Sequence, residues 1–214
     1  MKKTTSPHSL PPYDLIDEAA EESFPTSDPP AWTLGIDHTI SSFKNKKNNI
    51  TSILMREHNT IRTVLKAIHI KLQPTNSSDK IDKKTLQTLL YFFREFIDQF
   101  HDKKEEIFFS SLKNAKEHPS NYMLTDLGNE HQFGKHLCLE LEKLKTIQSL
   151  KEITHFYLNH IDKEEEYVFP FIEHATNKEH EKELLGLFKK VEDPTKNLYP
   201  QLVRLGLLKE TEHF

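Results

Sequence analysis

The chain has 214 residues and a formal charge of −4, with 29% charged and 36% hydrophobic side chains and a single cysteine. That balance allows one apolar core, offers no basic patch for nucleic acid, and leaves Cys138 without an intramolecular disulfide partner. With only 5 glycines, no long uncharged apolar run and no apolar leader, the expectation is a cytoplasmic, all-α protein with neither a nucleic-acid nor a membrane partner.

Residues 1–49 differ in composition from the rest of the chain. They hold Pro7, Pro11, Pro12, Pro25, Pro29 and Pro30, which remove backbone donors and push the preceding residues out of helical geometry. The segment is expected to be extended or disordered, with one short acidic helix over Leu15–Glu22, and is a candidate docking segment for a protein partner. The polar run 44–49 reads as a linker.

From Ile50 the apolar residues fall at helical spacing. Leu54, His58, Ile61, Leu65, Ile68 and Leu72 share one face, and the breakers of 74–79 end that helix. A second stripe joins Leu86, Leu90, Phe93, Ile97, His101, Glu105, Phe108 and Leu112, and Pro119 interrupts it. A third joins Leu124, Leu127, His131, Gly134, Cys138 and Leu141. After a turn near 146–149, a fourth joins Ile153, Tyr157, His160, Glu164, Val168 and Phe171. A fifth helix over Lys178–Val191 is expected to pack outside the others, with another near Tyr199–Leu208. The expected fold is an up-down antiparallel four-helix bundle over 50–191, the fifth helix included, followed by a tail over 192–214.

Each of the four apolar stripes contains one histidine. Two of them continue into a glutamate one turn later, in His101-x-x-x-Glu105 and His160-x-x-x-Glu164. Ionised groups on a buried face are costly unless paired or coordinated, and residues four apart aim at a common point. In an up-down bundle, groups at one height lie equidistant from the turn between their helices. The midpoints between successive histidine or His/Glu positions fall near Lys80, Glu117 and Thr146, beside the three expected turns. A lone histidine on an apolar face is usually a hydrogen-bonded core residue; six metal-binding side chains at one height call for a metal. His69 lies about 16 Å along the helix from His58, too far to join. His136 and His155 are expected to face solvent, Glu106, Glu165 and Glu166 to lie at or behind the surface, and Cys138, Tyr157 and the phenylalanines 92, 93, 96 and 100 to pack.

Imidazole and carboxylate donors without a thiolate suit iron, manganese or zinc. Two glutamates able to bridge, with four terminal histidines, describe a dinuclear centre, for which iron is chosen ahead of manganese and zinc.

At these residues the sequence resembles the hemerythrin-like HHE cation-binding domains. The segments Phe100–Phe109, Glu130–Lys135 and His160–Pro170, with Glu57-His58-Asn59, are similar to that family's signatures, and the resemblance spans roughly Asn49 to Val191. Oxygen carriers of the family have a further histidine one turn after the third-helix ligand, where this chain has Lys135. The pattern is closer to the four-histidine, two-glutamate members, which include di-iron proteins that repair iron–sulfur clusters. Those carry a small cysteine-containing N-terminal domain, which these residues 1–49 are not. Glu18–Trp32 resembles a stretch at the start of various small bacterial proteins.

The expected function is that of a non-haem di-iron protein, oxo- or hydroxo-bridged, that binds O₂ or NO or senses iron or redox state. His58, His101, His131 and His160 are the expected terminal ligands, with Glu105 and Glu164 bridging. Two rivals remain: a di-iron redox enzyme or repair factor of oxidative and nitrosative stress, and a metal-free interaction bundle.

Overall fold

The computed structural model of the chain describes residues 49–73, 76, 78–112, 120–170 and 177–210. The N-terminal segment up to residue 48, with its acidic helix and the Glu18–Trp32 stretch, lies outside the described residues, as do Pro74, Pro119 and Phe171.

Asn49 opens α1 (Ile50–Leu72), its side chain accepting from the Ser52 amide at 2.8 Å. Asp82 does the same for α2 (Lys83–Tyr91), which runs on without a break through a π-helical stretch, π1 (Phe92–Asp102), into α3 (Lys103–Leu112). α4 (Ser120–Leu144) ends at Lys145, whose φ of 57° is the left-handed turn that closes many helices. Thr146 then caps α5 (Ile147–Lys163), which continues into a second π-helical stretch, π2 (Glu164–Val168). Two further helices follow, α6 (Lys178–Phe188), capped by Asn177, and α7 (Thr195–Arg204). The fifth helix thus ends three residues before the expected Val191, and α7 starts four before the expected Tyr199, because Pro194 rather than a later residue sets its first turn.

Among the described residues the fold is all-helical, with one isolated bridge between Lys80 and Thr146. That bridge ties two turns together: the Ile81 amide donates to the Lys145 carbonyl and the Ile147 amide to the Asp79 carbonyl, both at 2.9 Å. The C-terminal ends of α1 and α4 therefore meet the N-terminal ends of α2 and α5. α1 and α4 each lie against both α5 and π1. α6 packs across α1 and α3, and α7 against α2.

The core divides into two apolar clusters. The larger gathers Ile61, Leu65, Phe92, Phe93, Phe96, Ile153, Tyr157 and the tail residues Leu198 and Leu202. The smaller gathers Leu54, Phe108, Leu124, Leu127, Val168 and, from α6, Leu184 and Phe188. Between them lies a layer of buried polar side chains. No helix among the described residues is long and apolar enough to cross a membrane.

Candidate metal centre

The inward stripes deliver His58 from α1, His101 from π1, Glu105 from α3, His131 from α4, His160 from α5 and Glu164 from π2, all essentially removed from solvent. Both paired glutamates sit where a π-helical stretch meets α-helix, a distortion that turns a side chain without ending the rod.

The six converge as two overlapping groups. His58 and His101 share Glu105 and Glu164 with His131 and His160, and within each group one ligand atom per residue lies within 4.8 Å of the others. Every histidine turns Nε2 inward. Glu105 Oε1 is 3.4 Å from His58 and 3.3 Å from His101, while its Oε2 is 3.3 Å from His131. Glu164 mirrors this, with Oε2 3.3 Å from His58 and Oε1 3.4 Å from His160 and 3.8 Å from His131. Each carboxylate therefore presents one oxygen to either half.

None of the four Nε2 atoms or the four carboxylate oxygens has a hydrogen-bond partner. Leaving so many buried polar atoms unsatisfied would cost several kcal/mol, about 1–3 for each neutral group and more for each charge. A cation at each half relieves all of them together. The donors are nitrogen and oxygen only, a set that suits iron, manganese or zinc. Burial opposes charge on every member. The partners outweigh it, holding His58 and His131 well above the ordinary histidine value, Glu105 well below the carboxylate value, and Glu164 below it.

A ring of carboxylates backs the histidines. His58 Nδ1 meets Glu165 at 2.9 Å, and Arg62 Nη1 donates to the same oxygen at 2.8 Å. His101 Nδ1 meets Glu57 at 3.0 Å, and Lys104 donates to that carboxylate's other oxygen. His160 Nδ1 meets Glu130 at 2.7 Å, and Lys163 donates to Glu130 at 2.6 Å. Such an acceptor fixes the tautomer with Nε2 free for a metal and orients the ring. His131 lacks one: its Nδ1 and both oxygens of the buried Asp102 are without partners. Aromatic rings fill the flanks, Phe169 stacking on His58 at 5.2 Å, Phe109 on His131 at 6.4 Å and Phe156 on His160 at 5.8 Å.

All six sequence-predicted site residues are thus brought together. His136 is exposed, and His69 and His155 also face solvent. Tyr157 is buried edge-on to His160 with ring centroids 6.3 Å apart, and Cys138 is buried outside the group. Lys135 turns away toward Asp98 at 2.9 Å and Glu106 at 3.9 Å. Glu57 and Glu130 were not singled out from sequence, and Glu165 only as a residue at or behind the surface. A signal existed, because Glu-His followed by His-x-x-Lys-Glu occurs twice, at 57–58 with 101–105 and at 130–131 with 160–164.

The family model described as the hemerythrin HHE cation-binding domain matches residues 49–193. Neither the curated proteins nor the solved structures contain a match.

Proposed function

The chain belongs to the hemerythrin HHE cation-binding family, and from that premise we propose that it is a non-haem di-iron protein that binds O₂ or NO, or reports iron or redox state, within an up-down four-helix bundle. The observation that carries this reading is the double set of unpartnered donors: four Nε2 and four carboxylate oxygens that divide into two groups sharing Glu105 and Glu164. In it His58 and His101 would hold one iron and His131 and His160 the other, with Glu105 and Glu164 facing both. Iron supplies an open coordination position and one-electron chemistry when bound.

The chain's own residues supply the rest. Glu165, Glu57 and Glu130 accept at Nδ1 and keep the Nε2 of their histidines facing inward. The buried Phe169 and Phe109 exclude water around His58 and His131, which strengthens the electrostatic hold on a cation. A metal-free interaction bundle accounts less well for eight buried donors without partners.

The test is metal analysis with an optical spectrum of protein purified without chelators. Two irons per chain and charge-transfer bands that change with O₂ or NO are expected. Less than one metal per chain, or a spectrum indifferent to both gases, rejects the reading. Catalytic turnover of peroxide would move it to the enzyme class.

A further inference from the structure

The sequence repeat makes the two halves of the centre comparable, and they differ in what lies over them. In the first half Glu57 joins His101 to Lys104. The Lys104 side chain is 6% exposed, with its Nζ 3.3 Å from the centroid of the Phe100 ring and 6.0 Å from that of Phe188 on α6. In the second half Glu130 joins His160 to Lys163, whose side chain is 38% exposed. α6 lies across α1 and α3, over the first half. Among the described residues no such helix lies over the matching groove between α4 and α5, and a cavity of about 560 Å³ opens there. Phe133, Leu137 and Phe156 form its apolar walls; Glu130, Glu152 and His155 line it, and His160 is the one member of the cluster that reaches it.

We propose that this groove is the port of the metal centre, through which a divalent transition-metal ion passes to and from the position held by His131 and His160, while the position held by His58 and His101 is sealed. The inference rests on the two-metal reading of the site. Exchange of a buried ion needs a stepwise replacement of its ligands, and His160 is the ligand that lines this groove. Its ring is backed by a partly exposed carboxylate, and Glu130, Glu152 and His155 offer oxygen and nitrogen donors along the way out. At the first half, the corresponding path runs into Lys104 and Phe188. The apolar walls narrow the groove without binding the ion, so it serves for passage and not for storage.

The experiment loads the full chain with Co²⁺, whose visible spectrum reports coordination, and follows release to excess EDTA. Two phases of equal amplitude separated by at least tenfold in rate are expected. Diffraction at the cobalt edge on protein stopped between the phases should show the remaining ion at His58 and His101. His155→Trp, a change at a solvent-facing residue in the groove wall, should slow the fast phase severalfold and leave the slow one alone. Phe188→Ala should speed the slow phase. A single phase, a fast phase indifferent to His155→Trp, or a remaining ion at His131 and His160 overturns the port. If fewer than two Co²⁺ bind at the outset, the two-metal reading itself fails, and the port with it.

Discussion

The two halves of the polar layer match up to the imidazole rings and part company behind them. Behind His58, His101 and His160 stand a carboxylate and then a cation, a chain of charge that ends at the partly exposed Arg62 and Lys163 and at the buried Lys104. Behind His131 there is an unpartnered Nδ1, and the nearby Asp102, fully buried, spends neither oxygen on a hydrogen bond. Three histidines are therefore oriented by hydrogen bonds. The fourth is oriented by packing, between the Phe109 ring and the edge of His160, whose ring centroid is 5.1 Å away. The difference separates what the shared carboxylates Glu105 and Glu164 do for both halves from what the outer carboxylates do for each.

The largest effect is expected where the halves are not separable. Glu105 and Glu164 each face histidines of both halves, so Glu105→Ala together with Glu164→Ala should abolish binding of both ions, and Glu105→Ala alone should weaken both. Metal content after dialysis checks this. Retention of one tightly held ion in the single variant would show that the halves stand alone.

Next come the outer carboxylates. Glu57→Gln, Glu130→Gln and Glu165→Gln should each lower metal affinity by about 10- to 100-fold, since the lost acceptor held both the tautomer and the ring. Asp102→Asn should change it by less than about threefold, because no hydrogen bond is there to lose. Competition titrations against a chelator would sort the four. An Asp102→Asn penalty as large as the others would mean that metal binding draws Asp102 onto His131, and the contrast between the halves would vanish.

Much of this was legible in the sequence, and the reason is geometric. The inward residues of α1 and α4 recur in steps of three and four, and those named from the pattern are buried. The second rod is different: Phe93, Ile97, His101 and Glu105 follow at three successive steps of four. On an ideal α-helix, at 3.6 residues per turn, each such step would drift by about 40°, and the set would wander about 120° off the core face. The wider turns of π1 hold them in line. A run of fours was thus the visible trace of the π-helical stretch, and reading it as regular helix placed the right residues for an incomplete reason. The outer carboxylates were harder to see, because they stand among many charged neighbours: Glu57 and Glu130 are marked only by the repeated Glu-His, and Glu165 only by its cross-helix partners. The α7 boundary was missed because the tail carries few residues on a stripe too short to show a period.

Gly134 offers a smaller test, one turn from the packed histidine. A Cβ there would fall on the Tyr157 hydroxyl, 2.9 Å from its Cζ and 3.1 Å from Phe156 Cε1. Tyr157 is fully buried and cannot swing aside, so Gly134→Ala should destabilise the metal-free protein by about 1–3 kcal/mol, seen as a fall of several degrees in melting temperature. Since His131 depends on packing for its orientation, the same variant should lower affinity at its half more than at the other. Unchanged stability would show that α4 and α5 can separate at no cost and that packing does not fix His131.

The smallest effect is a slope with pH, and it sets the outer groups of the second half against each other. Burial pushes Glu130 up, but the hydrogen bonds from His160 and Lys163 outweigh it and hold the carboxyl at about 2, below its ordinary 4.5. Its contribution to stability is complete above pH 4.5 and fades as the pH falls toward 2. Asp102 runs the other way. Burial raises it from 3.8 to about 6 against the charges of His131 and His101, so its contribution is complete below 3.8 and is lost as the pH rises through 6. On the first half, burial lowers His101, yet Glu105 and Glu57 carry it from 6.5 to about 9, and that stabilisation disappears as the pH climbs from 6.5 through 9. The metal-free protein should therefore be most stable near pH 4.5, where the Glu130 contribution is nearly complete and the Asp102 contribution only begins to fall, and lose a few degrees of melting temperature toward pH 9. Metal needs the imidazoles unprotonated, so the loaded protein should hold its melting temperature over the alkaline range where the metal-free protein declines. Parallel melting curves with and without metal would decide, and a metal-free protein that grows more stable between pH 7 and 9 would show that protons do not hold the empty ligands together.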